Sequence, residues 1–164
     1  MSLPNPKKIV KHIIESATFL SLATTDGKEP WVNAAFFASD KESNLYITSY
    51  NDSVHVRNIL INPHVAVAIF DSHAALGTNE IQGVQIKGKC SRVFGDELQH
   101  AIDVVYKKRF PDPKERTTRD LSTEHFSRPD SVGRIDHIYK IVPEKVYILD
   151  KTPGKKDRRL EVSL

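Results

Sequence analysis

Histidine and cysteine are the side chains of this protein best suited to chemistry near neutral pH, and their spacing narrows what they can do. Seven histidines are scattered as His12, His55, His64, His73, His100, His125 and His137. None stands at ligand spacing from a second histidine or from the one cysteine, so no metal site is expected. Cys90 falls in the middle of a strand-like run. A buried inert thiol and a reactive one are both open readings of it. A single cysteine allows no intramolecular disulfide, which points to a reducing compartment. The G-x-S-x-G elbow, the Walker-type phosphate loop, G-x-G-x-x-G and H-E-x-x-H are all missing. Spacing alone therefore names no reaction and no catalytic residue.

Any site must be positioned by the elements that the chain can form. Asn5-Pro6 opens a helix expected over residues 4–16, with Ile9, Val10, Ile13 and Ile14 on one face. The runs TFLSLAT and WVNAAFFAS read as two strands joined by an Asp26-Gly27 turn, with LYITS as a third. Asn51-Asp52-Ser53 offers caps for a short helix whose Val56, Ile59 and Leu60 share one face, stopped by Asn62-Pro63. HVAVAIFD is a fourth strand, residues 72–80 a loop, and QGVQIKGKCSRVF a fifth strand in which Gly83 and Gly88 suggest a bend or bulge. A helix over 96–110 carries Leu98, Ala101, Ile102 and Val105 at i, i+3, i+4 and i+7. Residues 111–134 are polar, proline-rich and aperiodic, an irregular connection long enough to be functional or mobile. Two last strands are expected within 135–150, around Pro143, followed by a basic tail over 151–164.

At 164 residues the chain fits one domain, spanning 1–164 with its barrel core over 18–94. Short strands that follow one another without intervening helices favour a β-barrel, mainly antiparallel, with helices over its ends. No apolar run approaches the length of a secretion signal or of a membrane span, so a cytoplasmic protein is expected and no membrane partner. The formal charge is +3, much of it in Lys151, Lys155, Lys156, Arg158 and Arg159. No aromatic-rich basic stripe accompanies that tail, and nucleic acid is not expected as a partner.

The run 18–93 resembles the pyridoxamine 5′-phosphate oxidase-like family of flavin-binding split barrels. FLSLATTDGKEPWVNAAFF is similar to that family's first hairpin, and LYITSYNDSVHVRNILINPHVAVAIF to its third strand, short helix and fourth strand. GVQIKGKCSRV and GDELQHAIDVVYKKRFP take the places of the fifth strand and the helix after it. The resemblance implies a six-stranded antiparallel Greek-key split barrel. It also implies a homodimer holding flavin mononucleotide (FMN) in two clefts at the subunit interface, with an unknown small-molecule substrate.

The resemblance also implies site residues. Asn33, Ala34, Ala35 and Phe36 match the strand laid against the flavin ring, where small Ala34 and Ala35 permit close approach; barrel packing alone would also explain them. Thr48 and Ser49 match hydroxyl positions for the phosphate, Ser53 opens the short helix as at an anion site, and His55 and Arg57 add charge. Ser53 capping its own helix is the plainer reading. Gln85 is a donor to the ring edge or simply a polar residue in solvent. In the oxidase itself cations occupy the places held here by Asn33, Ala38, Val54 and His55, and the oxidase's terminal arginine and histidine signature is missing. The expected protein is therefore an FMN-binding relative with oxidoreductase chemistry, not the oxidase. A non-catalytic ligand-binding or stress-response module is the alternative, which leaves open whether the chain is an enzyme. Haem binding through His125 or His137 is the third reading.

Overall fold

The computed structural model describes residues 5–70, 83–150 and 158–164. The loop expected over 72–80, the first residue of the strand expected from Gln82, and the tail cations Lys151, Lys155 and Lys156 lie outside the described residues. Helix α1 (Pro6–Ser16) starts where its cap requires: Asn5 Oδ1 accepts from the Lys7 N–H at 3.0 Å, and Val10, Ile13 and Ile14 are buried. Strands β1 (Phe19–Thr25) and β2 (Pro30–Phe36) form the expected hairpin. Asp26 Oδ1 ties its turn by accepting from the N–H groups of Lys28 and Glu29, with Gly27 at φ +93°.

Beyond Phe36 the run expected as one strand breaks in two. Phe37 is fully buried, its N–H donates to the Thr18 carbonyl, and β3 (Ala38–Ser39) pairs instead with β4 (Leu45–Tyr50). After α2 (Val54–Ile61) come β5 (His64–Phe70), β6 (Gly83–Arg92) and α3 (Glu97–Arg109). Within α2, Val56 and Ile59 are buried as expected, but Leu60 is exposed; the third buried residue is Asn58, which donates to Thr24 Oγ1. Residues 111–134 are not irregular throughout. They hold α4 (Pro113–Thr117), α5 (Thr123–Ser127) and a 3-10 turn at Asp130–Val132.

The last two expected strands are a single strand, β7 (Asp136–Leu149), which runs through Pro143. It survives the proline because the ladder to β6 shifts register there, between Lys87 and Gly88. Gly88 is required at that bulge: a Cβ on it would sit 2.3 Å from the Val142 carbonyl oxygen. Part of the tail is also ordered, since β8 (Arg159–Glu161) pairs with β7 and Val162 is buried.

All these strands pair antiparallel in the order β2-β1-β5-β6-β7-β4-β3, with β8 beside β7. The fold is a mainly β split barrel with helices, carried by the six long strands β1, β2, β4, β5, β6 and β7. One residue, Phe37, separates the strands at the two ends of that order, so the sheet must curl until its ends lie side by side. Leu20, Leu22, Val65, Val67, Ile69, Val84 and Ile86 alternate inward to fill the barrel with α1. A second core forms outside it, where Leu98, Ala101, Ile102 and Val105 of α3 pack on Tyr46 and Ile138. Cys90 is fully buried, and burial pushes its thiol up to about 12, which favours the inert reading.

Candidate functional site

β2 and β4 approach one another at the closing seam without forming a ladder, and a groove of about 540 Å³ opens there. That size suits a small ligand or cofactor. The strand wall consists of Asn33, Ala34, Ala35 and Phe36 from β2 and Thr48, Ser49 and Tyr50 from β4, with His55 at the start of α2. On the far side of β2 the ladder to β1 is complete, so its seam-side amides face the groove. Asn33 Oδ1 is buried without a hydrogen-bond partner, on the face of β2 that pairs with Leu22. A buried acceptor in that condition is costly unless something supplies a donor.

A hydroxyl and imidazole cluster closes one end of this wall. Ser49 Oγ lies 2.5 Å from His55 Nε2 and 3.2 Å from Ser53 Oγ. Ser53 stands at the N-cap of α2, but its side chain makes no capping bond and donates to the Tyr50 carbonyl instead. The plain capping reading therefore fails. Burial holds the His55 imidazole below the ordinary histidine range, so the cluster is uncharged near neutral pH.

The outer wall comes from the end of α3 and the segment after it. Tyr106, Arg109 and Phe110 stand at i, i+3 and i+4 on one helical face. The Arg119 guanidinium lies 3.8 Å from the centre of the Phe110 ring, and the Tyr106 ring stacks with the same ring at 6.0 Å. His125 Nε2 is 3.1 Å from Asp136 Oδ1, and its Nδ1 is 3.6 Å from Asp120 Oδ2. Hydrogen bonds from the Ser122 hydroxyl and amide, then the nearby His125 and Arg128, hold the Asp120 carboxyl below the usual carboxylate range. Behind this wall Phe126 is buried against α3. His137, fully buried, faces the Phe126 carbonyl through Nδ1 at 3.0 Å and Asp130 through Nε2 at 2.8 Å.

Seven of the ten residues expected from the sequence line this one groove: Asn33, Ala34, Ala35, Phe36, Thr48, Ser49 and His55. Ser53 stands directly behind Ser49. Arg57 does not join them; its guanidinium folds back onto the Asp52 carbonyl. Gln85 lies elsewhere on the sheet, where Arg159 donates to its Oε1 at 2.8 Å. The outer wall went unread apart from His125, although Tyr106, Arg109 and Phe110 share a helical face that the spacing displays.

These features coincide with a family. Residues 6–127 match the model of the pyridoxamine 5′-phosphate oxidase family, and the chain belongs to it. A relative, UPF0306 protein PM1958 of Pasteurella multocida (strain Pm70), is 30% identical over 105 residues, which are 63% of this chain and 68% of that protein. Among solved structures, a heme binding protein from Mycobacterium smegmatis superposes with a TM-score of 0.71 at 17% identity, covering 99% of this chain. Campylobacter jejuni ChuZ does so with the same score and identity, again over 99% of this chain. This chain spans 60% and 61% of the lengths of those two proteins, and the likeness to them is one of fold.

Proposed function

We propose that the groove binds flavin mononucleotide and that the protein is an FMN-dependent oxidoreductase acting on a small molecule. The observation that carries this reading is the strand wall itself, small Ala34 and Ala35 and open-edge amides beside the hydroxyls of Thr48 and Ser49. Such a wall offers a planar heterocycle close approach along Ala34 and Ala35, with hydrogen bonds along its edge. Thr48, Ser49 and Ser53 offer hydroxyls for the phosphate. Arg109 and Arg119, from the outer wall, bring cations to a groove whose Asn33 and His55 stand where the oxidase has its own. When bound, the flavin supplies hydride or electron transfer. The chain's part is to orient the ring, exclude water with Phe36 and Phe110, and place His125, steadied by Asp136, where a proton can be held.

The functional unit in this reading is a homodimer. Val65, Val67 and Ile69 of β5 are buried within the single chain, so their face is not free for a partner. The outer face of the sheet is. Phe19, Val32 and Phe70 are each about 60% exposed there, on the same face as Ala34, Ala66 and Ala68. An apolar face of this kind is suited to a second copy.

Haem is the competing ligand, prompted by the fold shared with the Mycobacterium smegmatis protein. His137 is fully buried with both ring nitrogens against oxygen acceptors, and His125, which also faces Asp136 and Asp120, is the more exposed of the two. Among the described residues no helix is long and apolar enough to cross a membrane. Titration with FMN, followed by flavin absorbance and fluorescence quenching, decides the matter: saturable micromolar binding to a species of dimeric mass is expected. No flavin uptake, or a Soret band on haem addition that is lost in His125→Ala, would overturn the reading.

A further inference from the structure

The cluster at the mouth of the groove has one hydrogen-bond order in which every contact is satisfied. Ser53 Oγ carries one proton and donates it to the Tyr50 carbonyl at 2.9 Å. Its contact with His55 Nε2, at 3.2 Å, is then a hydrogen bond only with the imidazole as donor. The same Nε2–H lies 2.5 Å from Ser49 Oγ, so the Ser49 oxygen accepts as well. The Ser49 proton is left for Ser53 Oγ, 3.2 Å away, or for a group entering the groove.

The geometry points to His55 as a positioning and specificity-determining residue: its Nε2–H occupies the Ser49 oxygen, so Ser49 meets a ligand as a hydrogen-bond donor. A donor at that point favours a group that only accepts, such as a phosphate monoester oxygen, over a hydroxyl or ammonium group. His55 thus supports an anion without being a cation, which is how a chain lacking the oxidase's charge at this position keeps a phosphate end to its groove. Because burial keeps the ring neutral, its tautomer and not its charge sets the Ser49 proton. The ligand half of this inference rests on the flavin mononucleotide reading; the tautomer half rests on the hydrogen-bond order alone.

Two measurements test the halves separately. Long-range proton–nitrogen NMR of the wild-type protein at neutral pH should give the Nε2-protonated pattern for His55. An Nδ1-protonated pattern would make Ser49 the donor to His55 and overturn the inference whatever binds. In parallel, FMN and riboflavin affinities are compared in the wild type, His55→Gln and His55→Leu. Gln places an N–H donor near the Nε2 position and should keep the preference for FMN, whereas Leu should reduce that preference on the order of tenfold. Equal preference in all three proteins, with FMN still bound, would overturn the role of His55. Failure of the wild type to bind either flavin would overturn the flavin reading and the ligand half with it, while the NMR pattern would still decide the tautomer.

Discussion

The groove has two walls, and different physics holds each of them. The strand wall is part of the barrel: its backbone is fixed by ladders, and Leu20 and Leu22 anchor the neighbouring strand in the core. The outer wall between Phe110 and Asp136 has one fully buried side chain, Phe126, while α4 buries none. It is tied down by polar side chains reaching for main-chain oxygens. Arg92 donates to the carbonyls of Phe126 and Arg128, Asn51 Nδ2 donates to that of Gly133, and Arg116 donates to those of Phe110 and Pro111. A wall with so little apolar burial belongs to the low-stability end of a structure, where local opening is least costly. The strand wall is thus the preorganised half of the site and the outer wall the adaptable half.

The severest way to break this contrast acts on the barrel. In Gly88→Ala the new methyl would meet the Val142 carbonyl oxygen at 2.3 Å, and Pro143 backbone lies just beyond, so β7 itself must shift. We expect a loss of about 3 kcal/mol in urea denaturation, within the range for strain at a special backbone site. Both walls should fail together. A loss below about 1 kcal/mol would mean that the bulge is not the anchor we take it for.

Acid should separate the walls. Asp130 is held below the ordinary carboxylate range by its hydrogen bond from His137 and by the nearby Arg92, and Asp120 by its bonds from Ser122. A carboxylate depressed on folding favours the folded wall at pH above its unfolded value. That contribution is lost as pH falls through the folded value. Both groups lie on the outer wall, so hydrogen exchange over 120–134 should accelerate below about pH 4 while β5 and β6 stay protected. Simultaneous loss of protection everywhere would contradict the division.

The same division explains what could be read in advance. Period-two alternation in HVAVAIF and the 3.6 period of α3 are burial patterns, and each placed its element within a residue or two. Seven groove residues were reached through the family resemblance, which those elements and their order carry. The break at Phe37 and the unbroken run through Pro143 were not legible, because sheet closure and a bulge depend on partners far along the chain. Nor was the outer wall: Asp120, Ser122 and His125 show no period, and the contact that joins them to the sheet, His125 to Asp136 of β7, is one that no period displays. Arg57 and Gln85 stand outside the groove for a related reason. Their types suit a ligand, but Asp52 and Arg159 engage them first.

The smallest effect sharpens the comparison most. Arg119 is exposed and makes one ring contact, over Phe110, so Arg119→Ala should cost no more than about 1 kcal/mol in denaturation. If the outer wall closes on a ligand, the same change removes one of its two groove cations and should weaken FMN binding by roughly tenfold, as loss of a charge-assisted bond does. Arg119→Lys would keep the charge but not the flat stack on the ring. Binding restored by Lys would therefore assign Arg119 a charge role, and binding restored only by Arg would assign it to closing the groove over Phe110. Unchanged affinity in both variants would leave recognition to the strand wall and make the outer wall a cover.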